Sequence, residues 1–202
     1  MTRTTLTRLA AAIVVSALAL IISGCSNDPL AEQYRSGSSK GYIAANGAIT
    51  EIAPKNRGST VHFAGKLEDG TAISSDDYAG RVVVVNFWYA GCPPCRAEAR
   101  DLEKSSQKFA AQGVRFLGVN VRDQAATALA FERTYGVTYP SVLDVNDGAL
   151  QLAFSGTIAP NAVPTTLVLD KQGRVAARIL GRIPDTSVLN ALITTALAEN
   201  GP

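Results

Sequence analysis

Apolar positions along the chain fall into blocks that predict strands alternating with helices. The densest block, residues 82–88, is a nearly continuous apolar run rich in valine, and such a run is typical of a buried central strand. A helix is predicted to start near Pro93 or Pro94 and to reach about Ala111, because proline fits the first helical turn. Similar signals predict strands at 61–67, 71–73, 114–121, 141–143, 165–169 and 174–180, and helices at 124–135, 148–154 and from Asp185 to about Glu199. This order predicts an α/β fold in which a mixed sheet carries helices on both faces.

The first 25 residues form a separate apolar block with the features of a signal sequence. Two arginines precede the apolar run 9–22, which is shorter than the roughly twenty residues needed to span a bilayer. The sequence Ile-Ser-Gly-Cys at 22–25 resembles the bacterial lipobox, whose cysteine is lipidated and becomes the new amino terminus. The resemblance implies a lipoprotein signal peptide at 1–24, lipid attachment at Cys25, and a domain on the extracytoplasmic side of the cell membrane. The alternatives are an uncleaved anchor and a secretory signal with an incidental cysteine.

Residues 25–58 contain many small polar residues and little periodicity, which predicts a tether between the anchor and the domain. We leave open a short ordered arm at the end of this tether. The folded domain is accordingly predicted to span residues 59–202.

Composition and charge exclude several classes of protein. With 47% hydrophobic and 18% charged residues, the chain has the balance of a globular domain, which excludes a disordered tail and a multi-span membrane protein. The formal net charge of +2 falls to zero once Arg3 and Arg8 are removed with the signal peptide. A neutral mature chain argues against nucleic acid as a partner, since that binding needs an excess of Lys and Arg. Three cysteines are too few for a disulfide scaffold.

The candidate chemistry lies in Cys92-Pro93-Pro94-Cys95, at the predicted junction of strand and helix. Cysteines three apart in a first helical turn are close enough for a disulfide. Cys92 would lie at the helix N-terminus, where unpaired amides and the helix dipole favour a thiolate, and Cys95 is expected to be more buried. Cys92 is therefore predicted to attack a partner, and Cys95 to resolve the mixed disulfide.

Three other interpretations of this cysteine pair are weaker. A zinc site needs further ligands, and only Cys25 and His62 remain to supply a cysteine or histidine, so no metal is predicted. A structural disulfide that closes so small a loop restricts the unfolded chain little. A haem-attachment motif would have histidine where Arg96 stands.

Residues 86–98, Asn-Phe-Trp-Tyr-Ala-Gly-Cys-Pro-Pro-Cys-Arg-Ala-Glu, resemble the active-site segment of the thioredoxin superfamily. They are most similar to its membrane-anchored TlpA/ResA branch. Residues 162–166 resemble the cis-proline loop of the superfamily, and residues 124–154 resemble the extra strand-helix unit of the branch. The likeness covers residues 59–199 and implies a thioredoxin-like fold with an N-terminal β extension and a central strand-helix insert.

The resemblance also implies roles for residues around the cysteines. Pro164 would face Cys92, the backbone of Val163 would pair with a bound substrate strand, and Glu98 would tune thiol acidity and handle protons. The predicted substrate-binding residues are Trp88, Pro93, Pro94, Val163 and Pro164. The alternatives are an ordinary turn proline, a solvated surface glutamate and a core tryptophan.

Two residues depart from the family pattern. Asn86 stands where thioredoxin has a buried aspartate, so the proton relay of thioredoxin is not expected here, and Gly91 stands where tryptophan is common. The other polar candidates are interpreted as structural: His62 as a surface or core residue of an edge strand, Ser74 to Asp77 as a cap or loop, and Asp101 and Glu103 as solvated helix charges.

The resemblance implies an extracytoplasmic thiol-disulfide oxidoreductase whose redox-active disulfide is its own, with no other cofactor. Its partners would be protein thiols and disulfides, such as apocytochrome c during cytochrome c maturation, with a membrane thiol-disulfide transporter as electron donor. A dithiol oxidant or isomerase of secreted proteins is the alternative. A copper chaperone would need a histidine downstream of Cys95, and none follows; a peroxidase would have Pro and Thr where Val85 and Tyr89 stand.

Overall fold

The computed structural model describes residues 48–158 and 162–199. The predicted signal peptide, the lipid attachment at Cys25 and most of the predicted tether lie outside these residues. Within the described part of the chain, no helix is both long enough and apolar enough to cross a membrane.

Eight strands and four α-helices make up the described chain. The strands are β1 Ile49–Glu51, β2 Ala64–Lys66, β3 Ala72–Ser74, β4 Val83–Trp88, β5 Arg115–Asn120, β6 Ser141–Leu143, β7 Thr165–Leu169 and β8 Val175–Leu180. The helices are α1 Pro93–Ala110, α2 Ala125–Tyr135, α3 Ala149–Ala153 and α4 Thr186–Ala198, and 3-10 turns occupy Pro54–Asn56 and Ser75–Tyr78. The predicted elements from β4 onward are confirmed to within two residues at each end.

Six of the strands form one mixed sheet in the order β1-β8-β7-β4-β5-β6. Strand β4 lies in the middle, parallel to β5 on one side and antiparallel to β7 on the other. Its register places Asn86 between Gly118 of β5 and Thr166 of β7. The carboxyl end of β4 therefore lies beside the start of β7. The segment after β4 and the segment before β7 consequently lie at the same edge of the sheet.

Alternation along β4 sends its side chains into two apolar cores on opposite faces of the sheet. Val84 packs in the core that contains Leu102 of α1 and Leu189 of α4. Val85 packs on the other face, in the core that contains Leu150 of α3. The predicted mixed α/β sheet with helices on both faces is thus confirmed.

The β2–β3 hairpin forms a separate two-stranded sheet. It joins the edge of the main sheet through an antiparallel bridge between Leu67 and Val142 of β6. The predicted strand at 61–67 is longer than the observed β2, and His62 lies before that strand as an exposed residue. The sequence pattern overestimates the strand because Val61 and Phe63 pack into the core without joining a strand.

Ordered structure begins before residue 59, the predicted boundary between tether and domain. Strand β1 pairs with β8, with Ile49 opposite Ile179, so the ordered arm left open by the sequence is the edge strand of the main sheet. Arg57 also belongs to the fold: its side chain is 1% exposed and forms ion pairs with Asp170 and Glu199. A three-residue edge strand is too short to show a clear period in the sequence. The sequence also gives no sign that Arg57 is buried, because its ion-pair partners are distant in the chain.

Candidate active site

Cys92 and Cys95 lie where the central strand β4 passes into helix α1, as predicted. Cys92 is the residue that caps the helix, and the backbone N–H of Cys95 donates to its Sγ at 3.2 Å. The two residues form a disulfide, with their Cα atoms 5.3 Å apart. A sulfur that accepts a hydrogen bond at a helix N-terminus is stabilised as a thiolate when the disulfide opens. The geometry therefore favours Cys92 as the nucleophile.

The expectation that Cys95 is the more buried cysteine is wrong, because each of the two is 2% exposed. Cys92 is covered because Tyr89, Ala90 and Val163 pack against the apolar cluster that contains both cysteines. The difference between the two sulfurs comes from their positions at the helix terminus and not from their burial.

The loop before β7 carries the predicted cis-proline. The peptide bond between Val163 and Pro164 is cis. Val163 packs against the cysteine cluster, and the carbonyl of Pro164 accepts a hydrogen bond from the N–H of Gly181 at 2.9 Å. The predicted conformation of this loop is confirmed, and the substrate-binding role of the two residues remains a prediction.

Glu98 is buried, with 1% of its surface exposed, so the alternative of a solvated surface glutamate is wrong. Its Oε1 accepts a hydrogen bond from Asn86 Nδ2 at 3.1 Å, and its Oε2 accepts one from the N–H of Ile183 at 2.9 Å. Burial raises the pKa of Glu98 to about 7, and these two bonds and the charge of Arg182 oppose that rise. A carboxyl group with this pKa, one turn along the helix from Cys95, can take up or release a proton near neutral pH.

Asn86, the departure from the thioredoxin pattern, is what holds Glu98 in place. Its amide nitrogen donates to Glu98 and also to Thr166 Oγ1 at 3.0 Å. Asn86 is neutral, so Glu98 does not face a second carboxyl group at this position.

Trp88 lies beneath the cysteines and is 4% exposed. Its ring centroid is 4.4 Å from that of Phe131 in α2. A cavity of about 10 Å³, roughly the size that holds one water molecule, lies between Trp88 and Cys95. Trp88 therefore supports the site from below, whereas the predicted substrate-binding residues Pro93 and Pro94 are exposed and half-buried, respectively.

Sequence reasoning missed the contacts between the loop after β5 and the approach to Cys92. Asp123 Oδ2 accepts hydrogen bonds from the N–H of Ala90 at 2.6 Å and from Asn120 Nδ2 at 2.9 Å. The guanidinium of Arg122 lies over the ring of Tyr89, 4.2 Å from its centroid. The sequence does predict both β4 and β5. In adjacent parallel strands the loops after the carboxyl ends lie side by side, so these two predictions could have indicated the contacts.

The residues interpreted as structural have mixed outcomes. Ser74 and Asp77 form a capping box for the 3-10 turn that follows β3, which confirms the predicted cap. Glu103 is not simply solvated, because its carboxylate accepts hydrogen bonds from both the N–H and the hydroxyl of Thr138. Within residues 48–158 and 162–199, no three His, Cys, Asp or Glu side chains converge as a metal-ligand set.

A family model and two relatives with known names are similar to this chain. The family model described as Redoxin matches residues 52–193. The chain is 34% identical over 142 residues to the thiol-disulfide oxidoreductase ResA of Geobacillus thermodenitrificans (strain NG80-2), covering 70% of this chain and 79% of that protein. It is 31% identical over 124 residues to ResA of Bacillus subtilis (strain 168), covering 60% of this chain and 66%, just under two thirds, of that protein.

A solved structure shows the same fold. A secreted thiol-disulfide isomerase from Corynebacterium glutamicum superposes with a TM-score of 0.70 at 29% identity, covering 81% of this chain and all of that one. The predicted thioredoxin-like fold and the predicted class of thiol-disulfide oxidoreductase are confirmed by these relatives.

Proposed function

This chain belongs to the Redoxin family, with TlpA/ResA-like relatives, and from that premise we propose that it reduces disulfides of partner proteins outside the cytoplasm. One observation carries the proposal: the Cys92–Cys95 disulfide lies at a helix N-terminus, with Cys92 Sγ accepting the Cys95 N–H. The buried carboxyl of Glu98 lies one turn further along the same helix.

The reaction proceeds by two exchanges. In the reduced protein the thiolate of Cys92 attacks a partner disulfide, forming a mixed disulfide and releasing one partner sulfur as a thiolate. Cys95 then loses its proton, with Glu98 as an acceptor whose pKa is near neutral, and attacks the Cys92 sulfur. The second partner sulfur leaves, so the partner gains two electrons and the Cys92–Cys95 bond is restored.

Partner and location are the finer part of the proposal. We propose apocytochrome c as a substrate, a membrane thiol-disulfide transporter as the electron donor, and lipid attachment at Cys25. The lipobox-like residues 22–25 support the anchor, and the description of the C. glutamicum relative as secreted supports an extracytoplasmic site. That relative is also described as an isomerase, which keeps an oxidant or isomerase as the second candidate.

Two cysteine variants test the chemistry. We expect Cys92→Ser to abolish reduction of insulin disulfides, because the attacking sulfur is lost. We expect Cys95→Ser to accumulate mixed disulfides at Cys92, because nothing resolves them. Cys25→Ser is the matched control and should keep the wild-type rate in solution. Undiminished turnover by the Cys92→Ser variant would refute the assignment.

The midpoint potential of the domain decides the direction. A reductant should titrate near the thioredoxin value, roughly −270 mV, because it must hold its electrons less tightly than its substrates. A value close to roughly −120 mV, that of the strong dithiol oxidants, would favour the oxidant instead.

A further inference from the structure

A second carboxyl site, formed by Glu68 and Glu132, adjoins Ser141, a residue that lines the cavity below Cys95. Glu68 is in the turn of the β2–β3 hairpin and Glu132 is in α2, and their carboxyl groups are within hydrogen-bond reach of each other. Ser141 Oγ is 2.9 Å from Glu132 Oε1, and the N–H of Ser141 is 3.4 Å from Glu68 Oε2. Glu68 Oε1 is buried and receives no hydrogen bond from any amide, hydroxyl or cation of the described residues.

Two carboxyl groups in hydrogen-bond reach need a proton between them, because two carboxylates repel and neither can donate. Burial raises the pKa of Glu132, and the neighbouring Glu68 raises it further, against a smaller opposing effect of the Ser141 bond. A further titratable group beside this site is Tyr139, whose own pKa is raised by burial and by the charges of Glu98, Glu103 and Glu132. No lysine or arginine of the described chain is among the groups that shift this pKa. These effects raise the pKa of Glu132 to about 8, so Glu132 retains its proton at neutral pH and can donate it towards Glu68.

The connection to the cysteines runs through Ser141, whose side chain is fully buried. Ser141 lines the small cavity together with Cys95, Trp88 and Asn86. Gly118 packs tightly against Ser141 and Trp88, because a Cβ atom there would lie 2.2 Å from Ser141 Oγ and 2.8 Å from Trp88 Nε1. The Ser141 hydroxyl thus lies between the carboxyl pair and the space under Cys95. Asn86, which binds Glu98, lines the same space, so two carboxyl sites reach it by different side chains.

We propose that Glu68 and Glu132 hold a proton that Ser141 passes through the cavity to Cys95 when the disulfide opens. The proposal rests on the redox function proposed above and adds a proton source distinct from Glu98. All three residues act through the cavity, and we class them as positioning and proton-relay residues.

The proposed step balances as follows. A thiolate forms a bond to Cys92 Sγ, the bond between Cys92 and Cys95 breaks, and its electron pair moves to Cys95 Sγ. In the resting protein the Ser141 hydroxyl donates to Glu132 Oε1, so the relay begins when the proton of Glu132 moves to that oxygen and the hydroxyl turns towards the cavity. Cys95 Sγ then takes a proton from a water in the cavity, the water takes one from the Ser141 hydroxyl, and the hydroxyl takes one from Glu132. The pair is left with two negative charges and recovers its proton from solvent through Glu68, which is only half-buried.

Glu132→Gln separates this role from a structural one. The glutamine amide can donate to Glu68 while its carbonyl accepts from Ser141, so it reproduces the hydrogen bonds of the protonated pair but carries no exchangeable acid. The measurement is the rate at which a small monothiol opens the Cys92–Cys95 disulfide between pH 5 and pH 10, expressed per mole of its thiolate. This rate needs no protein partner.

We expect the wild-type rate per thiolate to fall as the pair ionises. Glu132→Gln should be about tenfold slower at pH 6 and should match the wild type at pH 10, where the wild-type pair has also lost its proton. General acids typically contribute about 100-fold or more, but the expected loss is smaller because Glu98 can still supply a proton. Ser141→Ala should show the same loss, because it interrupts the path while leaving both carboxyl groups. Glu51→Gln removes a partly buried carboxyl of β1, at the opposite edge of the sheet from β6. It is the matched control and should keep the wild-type profile.

Equal slowing of Glu132→Gln at every pH would overturn the proposal by showing a structural role. A wild-type profile for either Glu132→Gln or Ser141→Ala would overturn it as well. Ser141→Ala, a small change, provides the test if Glu132→Gln does not fold, as judged from the fluorescence of Trp88. Failure of the redox function itself would appear separately, as an intact protein that cannot reduce insulin.

Discussion

Replacing Glu98 by glutamine tests whether the buried carboxyl beside the cysteines titrates near neutral pH. The pKa of Glu98 is raised from its ordinary 4.5 to about 7, chiefly by burial. Between these two pH values the folded protein therefore binds more protons than the unfolded chain. It follows that the contribution of Glu98 to the free energy of unfolding is largest below pH 4.5 and declines as the pH rises towards 7.

The size of this decline follows from the shift. One pKa unit corresponds to about 1.4 kcal/mol, so the wild type should lose about 2–3 kcal/mol of stability between pH 5 and pH 8 through Glu98 alone. Glutamine cannot ionise and removes this slope. It also meets two donors, Asn86 Nδ2 and the N–H of Ile183, where the carboxylate accepted from both. The carbonyl oxygen of the glutamine can accept from one of these donors, and the mismatch of its amide nitrogen with the other costs about 1–3 kcal/mol at every pH.

The assay is denaturant unfolding of the oxidised wild type and Glu98→Gln at pH 5 and pH 8. Comparing the two pH values within each protein cancels the constant cost of the substitution, and subtracting the change of one protein from that of the other cancels the other titrating groups. Glu103→Gln is the matched control, because Glu103 is the other glutamate of α1 and is only partly buried. If the wild type and Glu98→Gln lost the same stability between pH 5 and pH 8, the raised pKa of Glu98 would be refuted.

Two other substitutions test packing and burial elsewhere in the fold. Gly118→Ala places a methyl group 2.2 Å from Ser141 Oγ and 2.8 Å from Trp88 Nε1. We expect the free energy of unfolding in denaturant to fall by about 1–3 kcal/mol and the emission of Trp88, the single tryptophan, to change. An unchanged midpoint and spectrum would contradict the packing around Gly118. Arg57→Met leaves the carboxylates of Asp170 and Glu199 without their buried partner and should lower the free energy of unfolding by about 3 kcal/mol. This is at the low end for a broken buried ion pair, because Asp170 still pairs with Arg174. A loss below about 1 kcal/mol would show that Arg57 does not belong to the fold.

Local patterns were enough to predict the elements that carry the cysteines. The valine-rich run of β4, the prolines that start α1 and the Cys-Pro-Pro-Cys spacing are each decided by a few neighbouring residues. The cis bond before Pro164 was predicted from resemblance, and the structure shows it. The weakest predictions were at the N-terminal side, where β1 has three residues and gains its stability only by pairing with β8.

Burial and the partners of polar groups were decided by the tertiary structure. A glutamate in a helix looks the same in sequence whether it faces solvent or core, and Glu98 is buried only because β4 and the segment after β8 supply its two donors. Glu68 and Glu132 are 64 positions apart and meet because the hairpin joins the edge of the sheet at β6.

The sequence by itself determined the fold class, the reactive pair and the likeness to TlpA/ResA proteins, because strand and helix periods and cysteine spacing are properties of adjacent residues. Only the tertiary structure decided that Ile49–Glu51 belongs to the main sheet and that the two cysteines are equally buried. It also decided which carboxyl groups bind the residues that line the cavity beneath them. Those features depend on contacts between distant segments, and the energy of a buried charge depends on every group around it.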